Sequence, residues 1–289
     1  MKGIILAGGS ATRLRPASLG VSKQLMPVYD KPLVYYPLTT LMLSGIREVL
    51  LISTPQDLPQ YKRLFSGSNK WGIEIQFAEQ PTPGGLAEAF LIGEKFIDDD
   101  PVALILGDNL FHGTGLGRQL QAAFKTPGAV IAAYHVSDPT AFGVVEFDAD
   151  GLATSLEEKP QEPRSSWAVP GIYFFDSSAV SRSKKLARSS RGELEITDLN
   201  KSYMSDKLLR VITFERGTTW LDMGTPKSLL DAAQFIQIMQ ERQGLLVGSP
   251  EEAAWRAGWI NDKQLVQLSD QMGQTDYARL LRNLTAEEK

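Results

Sequence analysis

The sequence predicts an α/β fold, in which a mixed, mostly parallel central sheet lies between two helical layers. A small β extension and a helical C-terminal segment follow. Three observations predict this fold. Short apolar stretches alternate with helical stretches through the first half of the chain. Those short stretches are apolar almost throughout, as strands of a sheet covered on both faces are. After about residue 129 strand patterns predominate, and after residue 226 the pattern is helical.

The first half alternates strands and helices. Such alternation is typical of a parallel sheet with crossover helices, and it indicates a Rossmann-like three-layer α/β/α fold. The strongest strand candidate is the run Val-Ala-Leu-Ile-Leu-Gly at 102–107. The other predicted strands cover 3–7, 49–53 and 73–78, and the predicted helices cover 38–44, 58–65, 86–96 and 117–124.

The second half has more strands and then only helices. The predicted strands cover 130–136, 143–148, 152–158, 169–175 and 209–214, and the predicted helices cover 227–243, 250–258, 262–270 and 275–283. We therefore expect one α/β domain over residues 1–245. It consists of a first half of about 1–128 and a second half of about 129–225, and a helical extension over 246–289 packs on it.

The composition excludes several classes of function. The chain has 289 residues and is 43% hydrophobic, which is ample for a large core. A net charge of -4 without a basic tract argues against a nucleic-acid partner. There is no cysteine and only two histidines, His112 and His135. Disulfides, a cysteine or histidine zinc site and a Ser-His-Asp triad are therefore not expected.

Nothing in the sequence is typical of a membrane protein. The chain enters its first strand directly, without the apolar region of a secretion signal. No apolar run approaches the ~20 residues that span a bilayer. We therefore expect a cytoplasmic protein without a membrane partner.

Glycines and cations follow the first strand. The strand ends at Gly8 and Gly9, and Arg13 and Lys23 come shortly after. Bare backbone N–H groups together with fixed positive charge suit a polyphosphate, and arginine and lysine hold phosphate oxygens. The spacing is neither that of a Walker A loop nor that of a G-x-G-x-x-G fingerprint. For the glycine pair alone, a tight strand-to-helix turn is an equal alternative.

Several uncommon motifs occur in a characteristic order. They are GIILAGGSATRLRP at 3–16, SKQLMPVYDKP at 22–32, QPTPGGLA at 80–87, LGDN at 106–109, EEKP at 157–160, GELEITD at 192–198 and WLDMGT at 220–225. In this order they resemble the sugar-phosphate nucleotidylyltransferases, and most of all the members that make dTDP-glucose. The resemblance covers nearly the whole chain.

The resemblance implies that dTTP and α-D-glucose 1-phosphate are converted to dTDP-glucose and pyrophosphate. The sugar phosphate would attack the α-phosphorus directly, and pyrophosphate would leave in line. The first half of the domain would hold the nucleotide and the second half the sugar. Two alternatives stay open: the same chemistry with UTP or another sugar 1-phosphate, and a non-catalytic regulatory protein that binds nucleotide sugars.

The nucleotide side of the implied site lies in the first half. Its residues are Leu6, Gly8, Gly9, Thr12, Arg13, Lys23, Gln80, Pro83, Gly85 and Asp108. The amide of Gln80 offers a donor and an acceptor, which suits the O4/N3 edge of thymine or uracil. Alternatively, Gln80 is an ordinary loop residue beside a proline-rich turn, where glutamine is common.

Metal binding is implied at two carboxylates. In the family the positions of Asp108 and Asp222 hold Mg²⁺, which prefers oxygen ligands and retains water and phosphate. By local sequence each aspartate could instead cap a helix or lie in a turn. Only the resemblance pairs two residues so far apart in the chain.

The sugar side is implied by six residues of the second half and its end: Gly143, Glu158, Lys159, Val169, Gly171 and Trp220. Without the resemblance, Glu158 and Lys159 would be interpreted as a solvated pair, and Trp220 could equally be a core residue. The implied catalytic residues are Arg13, Lys23, Asp108, Lys159 and Asp222. The basic residues between 182 and 191 are interpreted as solvated.

Two further implications concern assembly. The family suggests a homotetramer with a regulatory nucleotide-sugar site between subunits, to which Glu252 and Arg256 would contribute.

The chain also departs from the family's usual residues at Ala11 (glycine), Phe142 (tyrosine) and Met223 (threonine). If the backbone at Ala11 needs a positive φ, alanine costs on the order of 1 kcal/mol there.

Overall fold

The computed structural model describes residues 1–9 and 11–287. Its strands, in chain order, are β1 (Lys2–Leu6), β2 (Pro27–Val28), β3 (Lys31–Pro32), β4 (Glu48–Ser53), β5 (Glu74–Glu79), β6 (Val102–Leu106), β7 (Asn109–His112), β8 (Ala129–His135), β9 (Gly143–Phe147), β10 (Ala153–Glu158), β11 (Trp167–Val169), β12 (Ile172–Phe175), β13 (Leu209–Thr213) and β14 (Thr219–Asp222).

The helices of the first half and of the C-terminal segment lie where the sequence predicts them, and two helices of the second half were not predicted. They are α1 (Tyr35–Leu43), α2 (Leu58–Leu64), α3 (Glu88–Ile92), α4 (Glu94–Ile97), α5 (Leu116–Phe124), α6 (Ala179–Ser183), α7 (Ile196–Ser205), α8 (Pro226–Gln243), α9 (Pro250–Arg256), α10 (Asp262–Gln271) and α11 (Asp276–Glu287). Short 3-10 turns at Thr12–Leu14, Ala17–Leu19 and Lys23–Leu25 shape the segment between β1 and β2.

The central sheet is mixed, as predicted. Its strand order is β10-β9-β11-β8-β12-β6-β1-β4-β5, and β13 pairs with β8. The pairings among β5, β4, β1 and β6 are parallel. From β6 onward they are antiparallel, apart from β13 with β8. Parallel pairing therefore characterises the first part of the sheet, where α1 to α4 connect β1, β4, β5 and β6.

Alternate residues of the central strands pack on opposite faces. Ile5 and Ala7 belong to a core with Leu38, Leu41 and the C-terminal helices. Ile4 and Leu6 belong to a second core, which includes residues of α3, α6 and α7. A sheet that is apolar on both faces must be covered on both faces. The predicted three-layer arrangement is confirmed.

The C-terminal helices pack on the domain. Helix α8 begins at a capping box, in which the hydroxyls of Thr225 and Ser228 accept each other's backbone N–H. Helix α9 lies against α1, and α11 contributes Leu281 to the first core. The extension that the sequence predicts over 246–289 is helical to the end of α11, and residues 288–289 lie outside the described residues.

The carboxyl ends of β1 and β6 lie side by side, because these strands are parallel neighbours. The turn after each therefore opens at the same edge, which is where open α/β sheets bind ligands. In the part of the chain that the structure describes, no helix is both long enough and apolar enough to cross a membrane.

Candidate functional site

A cleft of about 440 Å³ opens at this edge of the sheet. It is lined by residues from both halves of the domain: Leu6, Gly8, Gly9, Ala11, Thr12, Arg13, Lys23, Gln24, Gln80, Pro83, Gly85, Leu86, Leu106, Asp108, Glu158, Lys159, Arg191, Glu193, Glu195, Ile196 and Gly224. All ten residues predicted for the nucleotide side are among them. Of the six predicted for the sugar side, Glu158 and Lys159 line the cleft.

The loop after β1, which carries Gly8, Gly9 and Ala11 and which we call the glycine loop, forms one wall of the cleft. Gly9 has a φ of 104° and Ala11 a φ of 42°, both in the left-handed region. Glycine adopts this region freely, whereas alanine is strained there by about 1 kcal/mol. The departure from glycine at Ala11 therefore falls where the backbone conformation favours glycine. The 3-10 turn that follows carries Arg13 toward the cleft.

Asp108 lies in the turn after β6 and forms an ion pair with Lys23. Its other carboxylate oxygen accepts a hydrogen bond of 3.0 Å from the side-chain amide of Asn109. The side chains of the pair are only 12% and 18% exposed, so they are weakly screened by water. The carboxylate is therefore held in position by both partners.

Asp222 is brought beside Asp108 by strand pairing. Strands β7 and β14 are antiparallel, and Asp222 is the partner of Asn109. The backbone N–H of Met223 donates to the carbonyl oxygen of Asp108 at 3.0 Å. Burial, and next the negative charge of Asp108, raise the pKa of Asp222 to about 6. Two carboxylates are thus close enough to repel each other.

Arg13 reaches the same place. A Cβ added at Gly224 would lie 2.9 Å from the Arg13 guanidinium and 3.1 Å from a carboxylate oxygen of Asp222. Gly224 therefore leaves the room in which these two side chains meet. The absence of a side chain at this position is a geometric requirement of the site.

The paired aspartates fit a divalent cation. Their mutual repulsion is what a cation between them would relieve, and both offer only oxygen ligands. Within the described residues, no group of three or more histidine, cysteine or acidic side chains could hold a metal ion. Two carboxylates leave coordination positions for water and phosphate, which is the usual arrangement for Mg²⁺.

Another wall of the cleft is formed by residues 80–87, the loop that is predicted to contact the nucleotide base and that we call the base loop. A Cβ added at Gly8 would lie 3.7 Å from the side-chain oxygen of Gln80, so this oxygen faces the glycine loop. Gly85 has a φ of 95°, and a Cβ there would overlap the backbone of Leu194. Leu194 belongs to a segment that we call the strap, residues 188–195. The backbone N–H of Leu194 donates to the carbonyl oxygen of Gly84 at 2.7 Å.

Glu158 and Lys159 lie at the end of β10. The Lys159 ammonium is 3.6 Å from the Glu158 carboxylate, and Lys159 has a φ of 45°. Thr197 donates to the same carboxylate at 2.7 Å. A Cβ added at Gly143 would lie 3.4 Å from Glu158 and 3.7 Å from Val169. The structure thus brings together four of the residues predicted for the sugar side.

Trp220 and Gly171 lie behind the cleft. Trp220 is 8% exposed, and its ring contacts that of Phe142 at 4.9 Å between centroids. The indole N–H donates to the side-chain oxygen of Asn109 at 2.6 Å, and the N–H of Gly171 donates to the same oxygen at 3.2 Å. In this structure Trp220 has the environment of a core residue.

The other two departures from the family pattern also face the core. Phe142 lies against Trp220, and Met223 is fully buried in the apolar cluster beneath α8. Neither side chain lines the cleft. Of the three departures, only Ala11 is therefore part of the cleft wall.

Asn109 and Arg191 have places in the site that the sequence did not predict. Asn109, which is 2% exposed, connects Asp108, Gly171 and Trp220 through its side chain. Arg191 belongs to the basic segment that was interpreted as solvated, yet it lines the cleft and pairs with Glu195 at 2.9 Å and Glu193 at 3.2 Å. The sequence signal for Arg191 is the alternation of charged and uncharged residues from 191 to 195.

The residues predicted for a regulatory site lie elsewhere. Arg256 donates to Glu252 at 2.8 Å along α9. Arg256 also lines a separate surface cavity of about 670 Å³, formed by residues between 255 and 264. Burial raises the pKa of Glu252. This position is outside the cleft that Asp108 lines.

Comparison with known proteins gives one family. The family described as nucleotidyl transferase matches residues 2–238. A glucose-1-phosphate thymidylyltransferase of Mycolicibacterium smegmatis is 52% identical over 288 residues, which cover 100% of both chains. The Neisseria meningitidis protein of the same name is 53% identical, over 98% of this chain and 99% of its own.

Solved structures agree with the sequence comparison. A Bacillus anthracis protein in complex with a sucrose superposes with a TM-score of 0.75 at 34% identity, covering 81% of this chain and 94% of that one. A UDP-glucose pyrophosphorylase complexed with UDP-glucose gives a TM-score of 0.71 at 22% identity, covering 82% and 98%. The second likeness concerns the fold alone.

Proposed function

The chain belongs to the nucleotidyl transferase family, and we propose that it converts dTTP and α-D-glucose 1-phosphate to dTDP-glucose and pyrophosphate. The observation that carries this proposal is the meeting of Asp108, Asp222, Arg13 and Lys23 at the glycine loop, with Lys159 lining the same cleft. Relatives that share about half of the sequence over their full length carry the name of this activity.

The reaction is a single displacement. An oxygen of the sugar phosphate forms a bond to the α-phosphorus of dTTP, and the bond from that phosphorus to the bridging oxygen of pyrophosphate breaks. The attacking oxygen is already charged, so the protein needs no covalent nucleophile. Catalysis then consists of positioning and of stabilising charge.

Three cationic side chains of the cleft would each bind a different phosphate group. Arg13 would bind the α-phosphate and the charge that develops on it, since its fork can hold two oxygens. Lys23 would hold the leaving pyrophosphate and exchange its contact with Asp108 for phosphate oxygens. Lys159 would bind the attacking phosphate and reduce the repulsion between the two anions.

Asp108 and Asp222 would hold Mg²⁺. When bound, this ion would supply positive charge that neutralises the phosphates. Removing the ion with a chelator should abolish pyrophosphate release, and titration with Mg²⁺ should restore it. Activity that survives exhaustive chelation would contradict the role assigned to the aspartates.

Base recognition is assigned to the loop that carries Gln80 and Gly85. The side-chain oxygen of Gln80 faces the glycine loop, where it can accept a hydrogen bond from a pyrimidine N–H. Gly85 has no side chain to keep the base away from the backbone. Thymine would be preferred to uracil only weakly, because one methyl group is worth about 1 kcal/mol of discrimination.

A panel of nucleotides tests the proposal. Pyrophosphate release is measured with glucose 1-phosphate and Mg²⁺ for dTTP, UTP, CTP, ATP and GTP, and then with glucosamine 1-phosphate as acceptor. The highest kcat/KM is expected for dTTP with glucose 1-phosphate. A higher value for UTP or for another sugar would select the same chemistry with other substrates. No release with any pair would indicate a non-catalytic binding protein.

Location and assembly complete the proposal. The triphosphate is a polyanion that does not cross a bilayer unaided, so we place the reaction in the cytoplasm. We also propose a homotetramer with a regulatory nucleotide-sugar site that includes Glu252 and Arg256. Light scattering coupled to size exclusion measures the assembly. Inhibition by dTDP sugars that Arg256→Ala relieves would support the second site.

A further inference from the structure

The base loop is held by a network that the proposed function does not use. Glu88, at the start of α3, accepts a hydrogen bond of 2.8 Å from the side-chain nitrogen of Gln80. Its other oxygen pairs with Arg188 at 3.0 Å. The Glu88 side chain is 18% exposed, so this carboxylate lies beneath the surface of the site.

The network fixes which way the Gln80 amide points. The nitrogen of that amide faces the Glu88 carboxylate and the carbonyl oxygen of Gly85, at 2.8 and 3.4 Å. A carbonyl oxygen and an ionised carboxylate can only accept hydrogen bonds. The oxygen of the amide must therefore point the other way, toward Gly8 and the cleft.

Gly84 provides the space for this contact. A Cβ at Gly84 would overlap the carboxylate of Glu88, including both oxygens. The overlap is with the tip of a flexible side chain, so any residue other than glycine would displace the carboxylate from Gln80. The backbone of Gly84 itself needs no positive φ.

Arg188 connects the network to the strap. Its guanidinium donates to the carbonyl oxygen of Gly192 at 2.7 Å and approaches that of Gly84 at 3.4 Å, in addition to its pair with Glu88. One side chain thus holds the strap, the base loop and the carboxylate together. Charge-assisted hydrogen bonds of this kind are among the stronger ones in proteins.

We propose that Glu88, held by Arg188, is a positioning residue that sets the base selectivity of the cleft by keeping Gln80 a hydrogen-bond acceptor. Thymine and uracil carry an N–H at ring position 3, which such an acceptor binds. Cytosine has a bare nitrogen there, whose lone pair faces the same oxygen unfavourably. A site built to accept from an N–H strongly rejects an analogue that lacks it. This inference rests on the proposed function, since it specifies how that site reads its nucleotide.

The substitution Glu88→Gln reverses the constraint. The guanidinium of Arg188 can only donate hydrogen bonds, so it binds the side-chain oxygen of the new glutamine. The side-chain nitrogen of that glutamine then faces Gln80. Gln80 must then present its own nitrogen to the cleft. We expect the ratio of kcat/KM for dTTP to that for dCTP to fall by about tenfold or more. The ratio of dTTP to dUTP should stay constant, because both bases carry the same N–H.

Two variants act on the same network without changing Glu88. Gly84→Ala should displace the carboxylate, and Arg188→Met should release it; both should lower the dTTP to dCTP ratio. Lys184→Met is the matched control, because Lys184 also pairs with a glutamate, Glu94 at 2.5 Å, and neither residue lines the cleft. It should leave every ratio unchanged.

The outcomes separate the two proposals. If the protein prefers dTTP to dCTP and folded Glu88→Gln and Gly84→Ala keep that preference, the network does not set selectivity and the proposed function stands. A parallel loss for dTTP, dUTP and dCTP would show a merely structural role and would also overturn the inference. If the unaltered protein releases no pyrophosphate from dTTP or dUTP, the proposed function itself fails.

Discussion

The two halves of the cleft are built differently. On the nucleotide side, Lys23 and Asp108 are 12% and 18% exposed and form an ion pair. On the sugar side, Lys159 and Arg191 are 57% and 58% exposed, and their partners are acidic side chains of the same wall. The first side is preorganised, whereas the cations of the second side lie largely in water.

Strand direction explains the difference. The carboxyl ends of β1 and β6 are adjacent because the strands are parallel, so their loops meet without further adjustment. The sugar side depends on the antiparallel strand β10 and on the strap, which reaches the cleft from beyond α6. Exposed ion pairs contribute little to stability, so Lys159 and Arg191 remain available to a charged substrate.

The largest effect is expected at the centre of the nucleotide side. Asp222→Asn should lower kcat by on the order of 10³, because one of the two proposed Mg²⁺ ligands is lost. The folded-state pKa of Asp222 is raised to about 6, so the ionised carboxylate costs stability on the order of 3 kcal/mol above that pH. Below the ordinary value of 3.8 the cost is absent. Metal-free Asp222→Asn should therefore unfold at a higher temperature than the unaltered protein at pH 8, but not at pH 3.5.

Steady-state kinetics and thermal unfolding at both pH values test this prediction. Asp231→Asn is the control, since Asp231 pairs with Lys227 on the surface of α8. It should change neither quantity. If Asp222→Asn retains a tenth of kcat, Asp222 is not a metal ligand, and the contrast between the two sides is weaker.

Lys159→Ala tests whether the two sides bind separate substrates. We expect a higher KM for glucose 1-phosphate and a kcat lower by about 10², with dTTP binding nearly intact, because only the acceptor phosphate loses its cation. Lys23→Ala should instead weaken the binding of dTTP. Kinetics and calorimetric titration of dTTP measure both, with exposed Lys227→Ala as the control. An equal loss of dTTP affinity in Lys159→Ala would refute the separation.

Gly85→Ala tests the contact that joins the two sides. The new Cβ would overlap the backbone of Leu194, and alanine is strained at a φ of 95°. We expect a loss of about 2–3 kcal/mol in the free energy of unfolding and a raised KM for dTTP. Gly20→Ala is the matched control, because a Cβ at Gly20 meets no atom within 4 Å. Similar denaturant midpoints for both variants would mean that the strap is not tightly packed.

Ala11→Gly should have the smallest effect. It relieves strain at a φ of 42° but also increases the entropy of the unfolded chain, so the gain in stability is expected to be about 1 kcal/mol or less. The KM for dTTP should fall slightly, since the loop reaches its conformation more readily. Denaturant unfolding and initial rates measure this, and a loss of stability would show that Ala11 is not strained.

Much of this protein could be predicted from its sequence. The alternation of apolar strands and helices correctly predicts the three layers, since each of Ile4, Ile5 and Leu6 must be buried on one face or the other. The motifs correctly predict the family, and the glycine loop with Arg13 and Lys23 lies in the cleft as predicted. These features are encoded within short stretches of chain, where periodicity and residue type are sufficient.

The sequence did not determine how distant side chains meet. Local patterns gave no role to Asn109, Glu88 or Arg188, and they interpreted Arg191 as solvated. Asp222 lies beside Asp108 only because β14 pairs with β7, and Glu88 reaches Gln80 only because Gly84 leaves space for it. Strand register and the path of the strap decide these contacts, and both arise from packing over the whole domain. The sequence by itself therefore determined the layers and the family, and the tertiary structure alone decided which side chains lie together.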